Sequence, residues 1–250
     1  MKTTISRAML FAAGLGTRLR PLTNDRPKAL VEINGRTLLE IALTRMKEFG
    51  VREVVINVHH FADKVVDFLK ANDNFEMTID ISREEVLLDT GGGLKHAAHF
   101  FLADSKEGDG DEMILVHNVD VISDIDLARM AKAHTGNLAL ATLAVQERDT
   151  TRQLLFDEHM QLCGRRIGRD ATAEIVRPSG KLQPLAFSGI HIISRRLLTN
   201  LSEQGAFSII AGYLRLAGHG EKILGFRADE YRWRDLGRLE DLQQAAQDLN

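Results

Sequence analysis

The spacing of hydrophobic positions alternates strand-like with helix-like runs through the first half of the chain. Residues 8–13 form a short continuous apolar run that stops at Gly14, as a strand buried on both faces would. Over 37–49, Leu38, Leu39, Ala42, Leu43, Met46 and Phe49 recur at helical spacing. Thr37 and Glu40 have capping-box spacing there, and Gly50 is placed to end the helix. Residues 53–58 are β-branched and strand-like, and 61–71 form an amphipathic helix pattern with Phe61, Val65, Phe68 and Leu69 apolar. Residues 75–81 alternate as a half-buried strand. Gly91, Gly92 and Gly93 open a helix predicted to reach about residue 102. Residues 105–112 form an acidic surface loop, and 113–119 a buried strand ending at Asp120. A helix over 125–134, with Ser123 and Asp124 as expected caps, and a strand over 138–146 follow. This order predicts an α/β fold: a Rossmann-like, mostly parallel central sheet covered by helices.

The second half differs. Residues 152–157, 160–166 and 184–193 are strand-like and close together, which predicts a small antiparallel subregion. The basic stretch 164–181, with Gly168, Pro178 and Gly180, is expected as a hairpin arm or flexible loop. Helices are expected over 195–202, 207–216 and 239–248. There is no internal repeat, and one domain over 1–250 without an appended unit is expected.

Composition narrows the class. A chain of 250 residues is within reach of one α/β domain. With 44% hydrophobic and 27% charged residues it is neither disordered nor fibrous. Lys plus Arg is 32 and Asp plus Glu is 35, a net charge of −3, which argues against a nucleic-acid coat protein but leaves room for a local basic pocket. The single cysteine, Cys163, excludes an internal disulfide and a multi-cysteine metal site, as suits a reducing cytoplasm. The nine histidines show no zinc spacing. No apolar run approaches the roughly 20 residues that span a bilayer, and 8–13 is too short for a signal peptide. A cytoplasmic protein with no membrane or nucleic-acid partner is expected.

The chemistry concentrates directly after the first strand, where Ala12-Ala13-Gly14-Leu15-Gly16-Thr17-Arg18-Leu19-Arg20-Pro21-Leu22-Thr23 is followed by Pro27-Lys28. Ligands of open α/β sheets bind beyond the carboxyl ends of strands. Gly14 and Gly16 let backbone N–H groups approach a phosphate, Arg18 offers a bidentate fork, and Lys28 a compact charge. Arg18, Arg20, Arg26 and Lys28 face only Asp25 within this loop, so a triphosphate is a natural partner. The pattern is neither a P-loop nor a dinucleotide fingerprint, which would need glycine where Leu19 stands.

The stretch resembles the signature of the sugar-1-phosphate nucleotidylyltransferases, Gly-x-Gly-Thr-Arg-x-x-Pro-x-Thr followed by Pro-Lys, and matches it at every fixed position. Further landmarks follow in the family's order, and the chain is most similar to the family's short bacterial members. The resemblance implies a glycosyltransferase-A-like fold, with a nucleotide-binding half over 1–146 and a sugar-binding half with the C-terminal helices over 147–250. It implies transfer of a nucleotidyl group from an NTP, by preference UTP or dTTP, to a sugar 1-phosphate, with Mg²⁺. The expected assembly is a monomer or small homo-oligomer.

Residue by residue, the resemblance places Ala12, Ala13, Gly14, Gly16, Thr17 and Arg18 on the nucleotide, and makes Arg18 and Lys28 catalytic. Glu84, Thr90 and Gly91, in the segment Glu84 to Gly93, are base-contact candidates, with Asn118 beside them. Asp120 and Asp235 are the expected metal ligands, separated by 115 residues (235 − 120). Val119 stands where the family has glycine, and Arg238 where it often has threonine. Ser188, Gly189 and Trp233 are sugar-side candidates, while Trp233 beside Tyr231 suits a core position equally. The family's Glu-Lys-Pro is absent, and Gly164-Arg165-Arg166 occupies its region. Two alternatives remain: a phosphate acceptor that is no sugar, such as phosphocholine or a pterin phosphate, and a non-catalytic nucleotide-sensing subunit. The joint presence of Arg18, Lys28, Asp120 and Asp235 speaks against the second.

Overall fold

The computed structural model describes residues 5–103, 112–168 and 171–248. The acidic loop expected over 105–112 lies, Glu112 apart, outside them. The first half runs β1 (Arg7–Phe11), β2 (Glu32–Ile33), β3 (Arg36–Thr37), α1 (Leu38–Phe49), β4 (Glu53–Val58), α2 (Ala62–Ala71) and β5 (Thr78–Arg83). It continues with α3 (Asp89–His96), α4 (Ala98–Leu102), β6 (Met113–Asn118), β7 (Val121–Ser123), α5 (Leu127–Gly136) and β8 (Ala141–Gln146). The second half runs β9 (Arg152–Phe156), β10 (Leu162–Ile167), β11 (Glu174–Ile175), β12 (Gln183–Ser194), α6 (Arg196–Asn200), α7 (Ile209–Gly218), β13 (Ile223–Arg227), β14 (Trp233–Asp235) and α8 (Leu239–Asp248).

The central sheet has the order β11-β10-β9-β12-β6-β1-β4-β5, with β8 also on β12 and β13 beyond it. Strands β5, β4, β1 and β6 are parallel, and their register sets Phe11 opposite Asn118, so β1 and β6 end at the same level. Strand β12 runs antiparallel to β6, β8 and β9 and shifts register between Phe187 and His191. It thereby joins the parallel half to the antiparallel arm β9–β10–β11. The alternation along β1 shows both faces covered. Ala8 and Leu10 pack in a core with Leu39, Leu43 and Met130, while Met9 and Phe11 face Leu94, Phe101 and Tyr213.

Local rules account for most boundaries. Thr37 caps α1 by accepting from the Glu40 N–H at 3.1 Å, and Gly50 ends it in the left-handed region at φ 113°. The structure corrects three expectations. Strand β5 begins at Thr78, because Asp73 to Glu76 form a tight turn with φ between 48° and 59°, where Phe75 packs on Phe68 of α2. Helix α5 is capped by Asp126, whose Oδ1 accepts from the Arg129 N–H at 2.9 Å, because Asp124 is engaged by Arg232. The helix after the glycines starts at Asp89 and divides at Ala97. No helix among the described residues is long and apolar enough to cross a membrane.

Two imidazoles sit in this interior. His117 of β6 hydrogen-bonds the Asn118 carbonyl at 2.7 Å, and His191 of β12 bonds the Tyr213 hydroxyl. Burial pushes His117 down to about 4, although the Asn118 carbonyl and Asp120 favour its charged form. Burial, reinforced by His117, takes His191 down to about 3. A histidine held neutral in the fold contributes stability that is complete above its unfolded pKa near 6.5 and is lost as pH falls toward the folded value. The unfolding free energy from urea titrations should therefore decline steadily from pH 7 to pH 5, by on the order of 2 kcal/mol per imidazole. A flat profile over that range would contradict the buried neutral pair.

Candidate active site

The glycine bend is held from below. The Ala12 N–H donates to Asn57 Oδ1 at 2.8 Å, and Asn57 Nδ2 donates to Glu84 Oε1 at 2.7 Å. The other Glu84 oxygen accepts from the Leu88 N–H at 3.0 Å. This buried chain ties the ends of β1 and β4 to the segment before α3. Gly16 has φ 63°, and a Cβ there would lie 2.9 Å from Thr23 Cγ2 and 3.0 Å from Lys28 Cβ, so both conformation and space demand glycine. Thr23 Oγ1 donates to the Gly16 carbonyl at 2.9 Å. Leu19 is buried and anchors the turn Thr17–Leu19, leaving Thr17 and Arg18 exposed.

The acids arrive from two distant parts of the sequence. The Val119 N–H donates to the Phe11 carbonyl at 3.0 Å, which sets Asp120 beside the bend. Val119 itself is buried in the core and does not line the cleft. Strand β14 pairs antiparallel with β7, Asp235 opposite Val121, and the Leu236 N–H donates to the Asp120 carbonyl at 2.8 Å. Lys28 forms an ion pair with Asp120, and both side chains are largely shielded from solvent. The Gly237 N–H donates to Asp235 Oδ1 at 2.8 Å. A Cβ on Gly237 would fall 2.5 Å from an Arg18 nitrogen, so the guanidinium lies across this glycine. Burial raises the Asp235 pKa and the charge of Asp120 adds to it, against the pull of Lys28, the Gly237 N–H and Arg18. Arg18, Lys28, Asp120 and Asp235 thus form one electrostatic cluster.

A cleft of about 590 Å³ opens beside the cluster, and Asp235 belongs to both. Thr90, Asn118, Ser188, Gly189 and Trp233 also line it. Gly189 has φ 72° and lies at the register shift of β12, where a Cβ would strike Asn118 Nδ2 at 2.7 Å. Ser188 is fully buried, with its hydroxyl toward Gln146 and its carbonyl accepting from Trp233 Nε1 at 2.6 Å. Glu84 and Gly91 do not line the cleft. A Cβ on Gly91 would meet the Phe207 ring, one on Gly92 the Gly205 carbonyl, and one on Gly93 Glu84, so this triplet serves close packing.

Sequence reasoning missed two residues. Asn57 is the one polar residue in the buried run Val54 to Val58 of β4, and that position was the available signal. Arg148 follows the carboxyl end of β8, where ligand groups are expected. Its guanidinium stands 3.5 Å over the Trp233 ring, and Nη2 donates to the Phe187 carbonyl at 2.8 Å. Burial lowers its pKa, and the charge of Asp235 opposes that.

Two carboxylates converge here, one of them disfavoured as an anion by burial and by the charge of the other. That suits a hard divalent cation sharing its remaining sites with phosphate oxygens. No group of three or more His, Cys, Asp or Glu side chains is assembled for a metal among the described residues. An all-protein cage is therefore not what these residues offer.

Comparison with known proteins bears on this geometry. Residues 7–154 match the nucleotidyl transferase family. The N-acetylmuramate alpha-1-phosphate uridylyltransferase of Caulobacter vibrioides is 34% identical over 235 residues, covering 92% of this chain and 91% of that one. The UTP–glucose-1-phosphate uridylyltransferase of Synechocystis sp. is 29% identical over 148 residues, 55% of this chain and 36% of the other. Among solved structures, HddC from Yersinia pseudotuberculosis complexed with GMP-PN aligns with a TM-score of 0.76 at 20% identity, covering 98% of this chain and all of that one. A UDP-glucose pyrophosphorylase complexed with UDP-glucose aligns with a TM-score of 0.78 at 18% identity, over 98% of each chain. At these identities the structural likeness is one of fold.

The like-charge pair makes a stability prediction. The fold disfavours ionised Asp235, so Asp235→Asn, which keeps the acceptor for the Gly237 N–H, should leave the thermal midpoint unchanged or raise it. Asn57→Leu should cost about 1–3 kcal/mol by orphaning the Ala12 N–H and Glu84. A midpoint several degrees lower for Asp235→Asn would show that the carboxylate stabilises the fold.

Proposed function

This chain belongs to the nucleotidyl transferase family, and we infer that it transfers a nucleotidyl group from an NTP to a sugar 1-phosphate, giving an NDP-sugar and pyrophosphate. The observation that carries this reading is the convergence of Arg18, Lys28, Asp120 and Asp235 at the carboxyl ends of β1 and β6. UTP or dTTP is the proposed donor. A relative aligned over nine-tenths of both chains being a uridylyltransferase supports the choice of a pyrimidine.

In the proposed reaction an oxygen of the acceptor phosphate attacks the α-phosphorus. The new P–O bond forms as the bond to the bridging oxygen of pyrophosphate breaks. Nothing covalent on the protein is needed, so the residues act by positioning and charge. The bend, with the N–H groups around Gly14 and Gly16, is assigned to the β- and γ-phosphates, and Arg18 to the leaving pyrophosphate. Lys28, between the bend and Asp120, offsets negative charge growing at the α-phosphate. Thr90 and Asn118 face the nucleoside, while Glu84 and Asn57 set the bend's height from below. Gly189, the Ser188 backbone and Trp233 line the sugar side. Arg148 faces the acceptor phosphate across Trp233. Asp120 and Asp235 would hold Mg²⁺, which supplies charge neutralisation and alignment of the phosphates when bound.

Arg18→Ala and Lys28→Ala should each lower turnover by more than about tenfold, a loss above roughly 1.4 kcal/mol of transition-state stabilisation. Asp120→Asn should abolish the dependence on Mg²⁺. The assay is pyrophosphate release from UTP, dTTP, GTP and ATP with a panel of sugar 1-phosphates and phosphocholine. Near-normal rates for both cation variants, or a parental magnesium titration for Asp120→Asn, would refute the assigned roles.

A further inference from the structure

One face of the Trp233 indole is occupied within the protein itself. The Arg148 guanidinium stands 3.5 Å over the ring, which is van der Waals contact, so no sugar ring can stack on that face. The indole also packs against the core that holds Ile190 and Leu236. Consecutive carbonyls of β12 hold the two side chains together. Phe187 accepts from Arg148 Nη2 at 2.8 Å, and Ser188 accepts from Trp233 Nε1 at 2.6 Å. Both carbonyls lie where β12 changes partners, Phe187 being its last pair with β8 before the register shift and Ile190 its first with β6. Trp233 and Asp235 are two residues apart on β14, so they share a face, and both line the cleft with Arg148. Arg234 between them bonds Gln244 at 2.9 Å and does not line the cleft. Arg148 Nε is buried with no hydrogen-bond partner among the described residues.

We propose that Trp233 is a positioning residue that acts through Arg148, holding the guanidinium where the acceptor's phosphate must lie, and not a platform for the sugar. This rests on the function proposed above and deepens its acceptor side. Stacking fixes the plane of a guanidinium and leaves the N–H groups of its edge to donate, which suits bidentate contact with a phosphate. Held by an indole face and a backbone carbonyl, Arg148 has little rotamer freedom left to lose when a phosphate arrives. Because β14 carries both Trp233 and Asp235, one short strand sets the spacing between the acceptor-side cation and the metal-side acid.

The test is pyrophosphate release from UTP with glucose 1-phosphate, N-acetylglucosamine 1-phosphate or N-acetylmuramic acid 1-phosphate, taking the acceptor that turns over fastest. Trp233→Leu should raise KM for the acceptor by about fivefold or more and leave KM for UTP within about twofold. Trp233→Phe, which keeps an aromatic face, should stay within about twofold of the unaltered protein in both. Arg148→Met should raise the acceptor KM in the same way, and adding Trp233→Leu to it should cost less than about twofold more. Trp233 is the sole tryptophan, so its emission gives a second readout that needs no turnover. The three sugar phosphates, added with α,β-methylene-UTP, should shift that emission in the unaltered protein and not in Arg148→Met. A Phe variant as impaired as Leu, losses that multiply in the double variant, or an emission shift that survives Arg148→Met would overturn the proposal. If no acceptor turns over, nucleotidyl transfer itself falls; an emission shift that requires Arg148 then upholds the pair as a phosphate site, and its absence overturns this inference as well.

Discussion

A short backbone ladder holds this site together. Strand β14 pairs with β7 over only three residue pairs, and the Leu236 N–H closes the pairing on the Asp120 carbonyl. That contact forces a carboxylate near the end of the chain against one from its middle. Burial first, and then the like charge of Asp120, disfavour the Asp235 anion and raise its pKa. The fold opposes this with cations from a third region: Lys28 on Asp120, and Arg18 across Gly237. Everything proposed about phosphate chemistry depends on that arrangement, because the phosphates and the divalent ion need the charges that repel one another in the free protein.

The rest of the molecule can be understood as support for it. Parallel strands β1 and β6 end level, so the glycine bend and Asp120 start from the same height. Asn57 and Glu84 fix that height from below through buried hydrogen bonds. Strand β12 changes partner and register at Gly189, beside Asn118, and so turns the sheet toward the arm that forms the far wall. The two buried imidazoles under the cleft are neutral at physiological pH, so the charges that face a substrate belong to the rim and not the floor.

Much of this was legible in the chain, for identifiable reasons. The β-branched run that became β4 and the capped helix α1 follow from local rules that tertiary structure did not override. The bend was legible because glycine, arginine and lysine at that spacing after a buried strand have few other uses. Residues 73–76 misled because Phe75 kept strand-like alternation while its backbone took a left-handed turn. The cap of α5 was misplaced because Asp124 is claimed by Arg232, more than a hundred residues away. Arg148 had only its place after the carboxyl end of β8 to mark it, because its stacking on Trp233 is a long-range relation that the sequence does not show.

The most direct test of the central claim is a double-mutant cycle on the two acids, read as the total rate of pyrophosphate release at one fixed magnesium concentration by Asp120→Asn, Asp235→Asn and the pair. If both carboxylates serve one ion, the double variant should be less than about tenfold slower than the worse single, because residues acting as a unit lose their effect together. Losses that multiply across the two positions would mean that Asp120 and Asp235 act separately, and would contradict a single shared site.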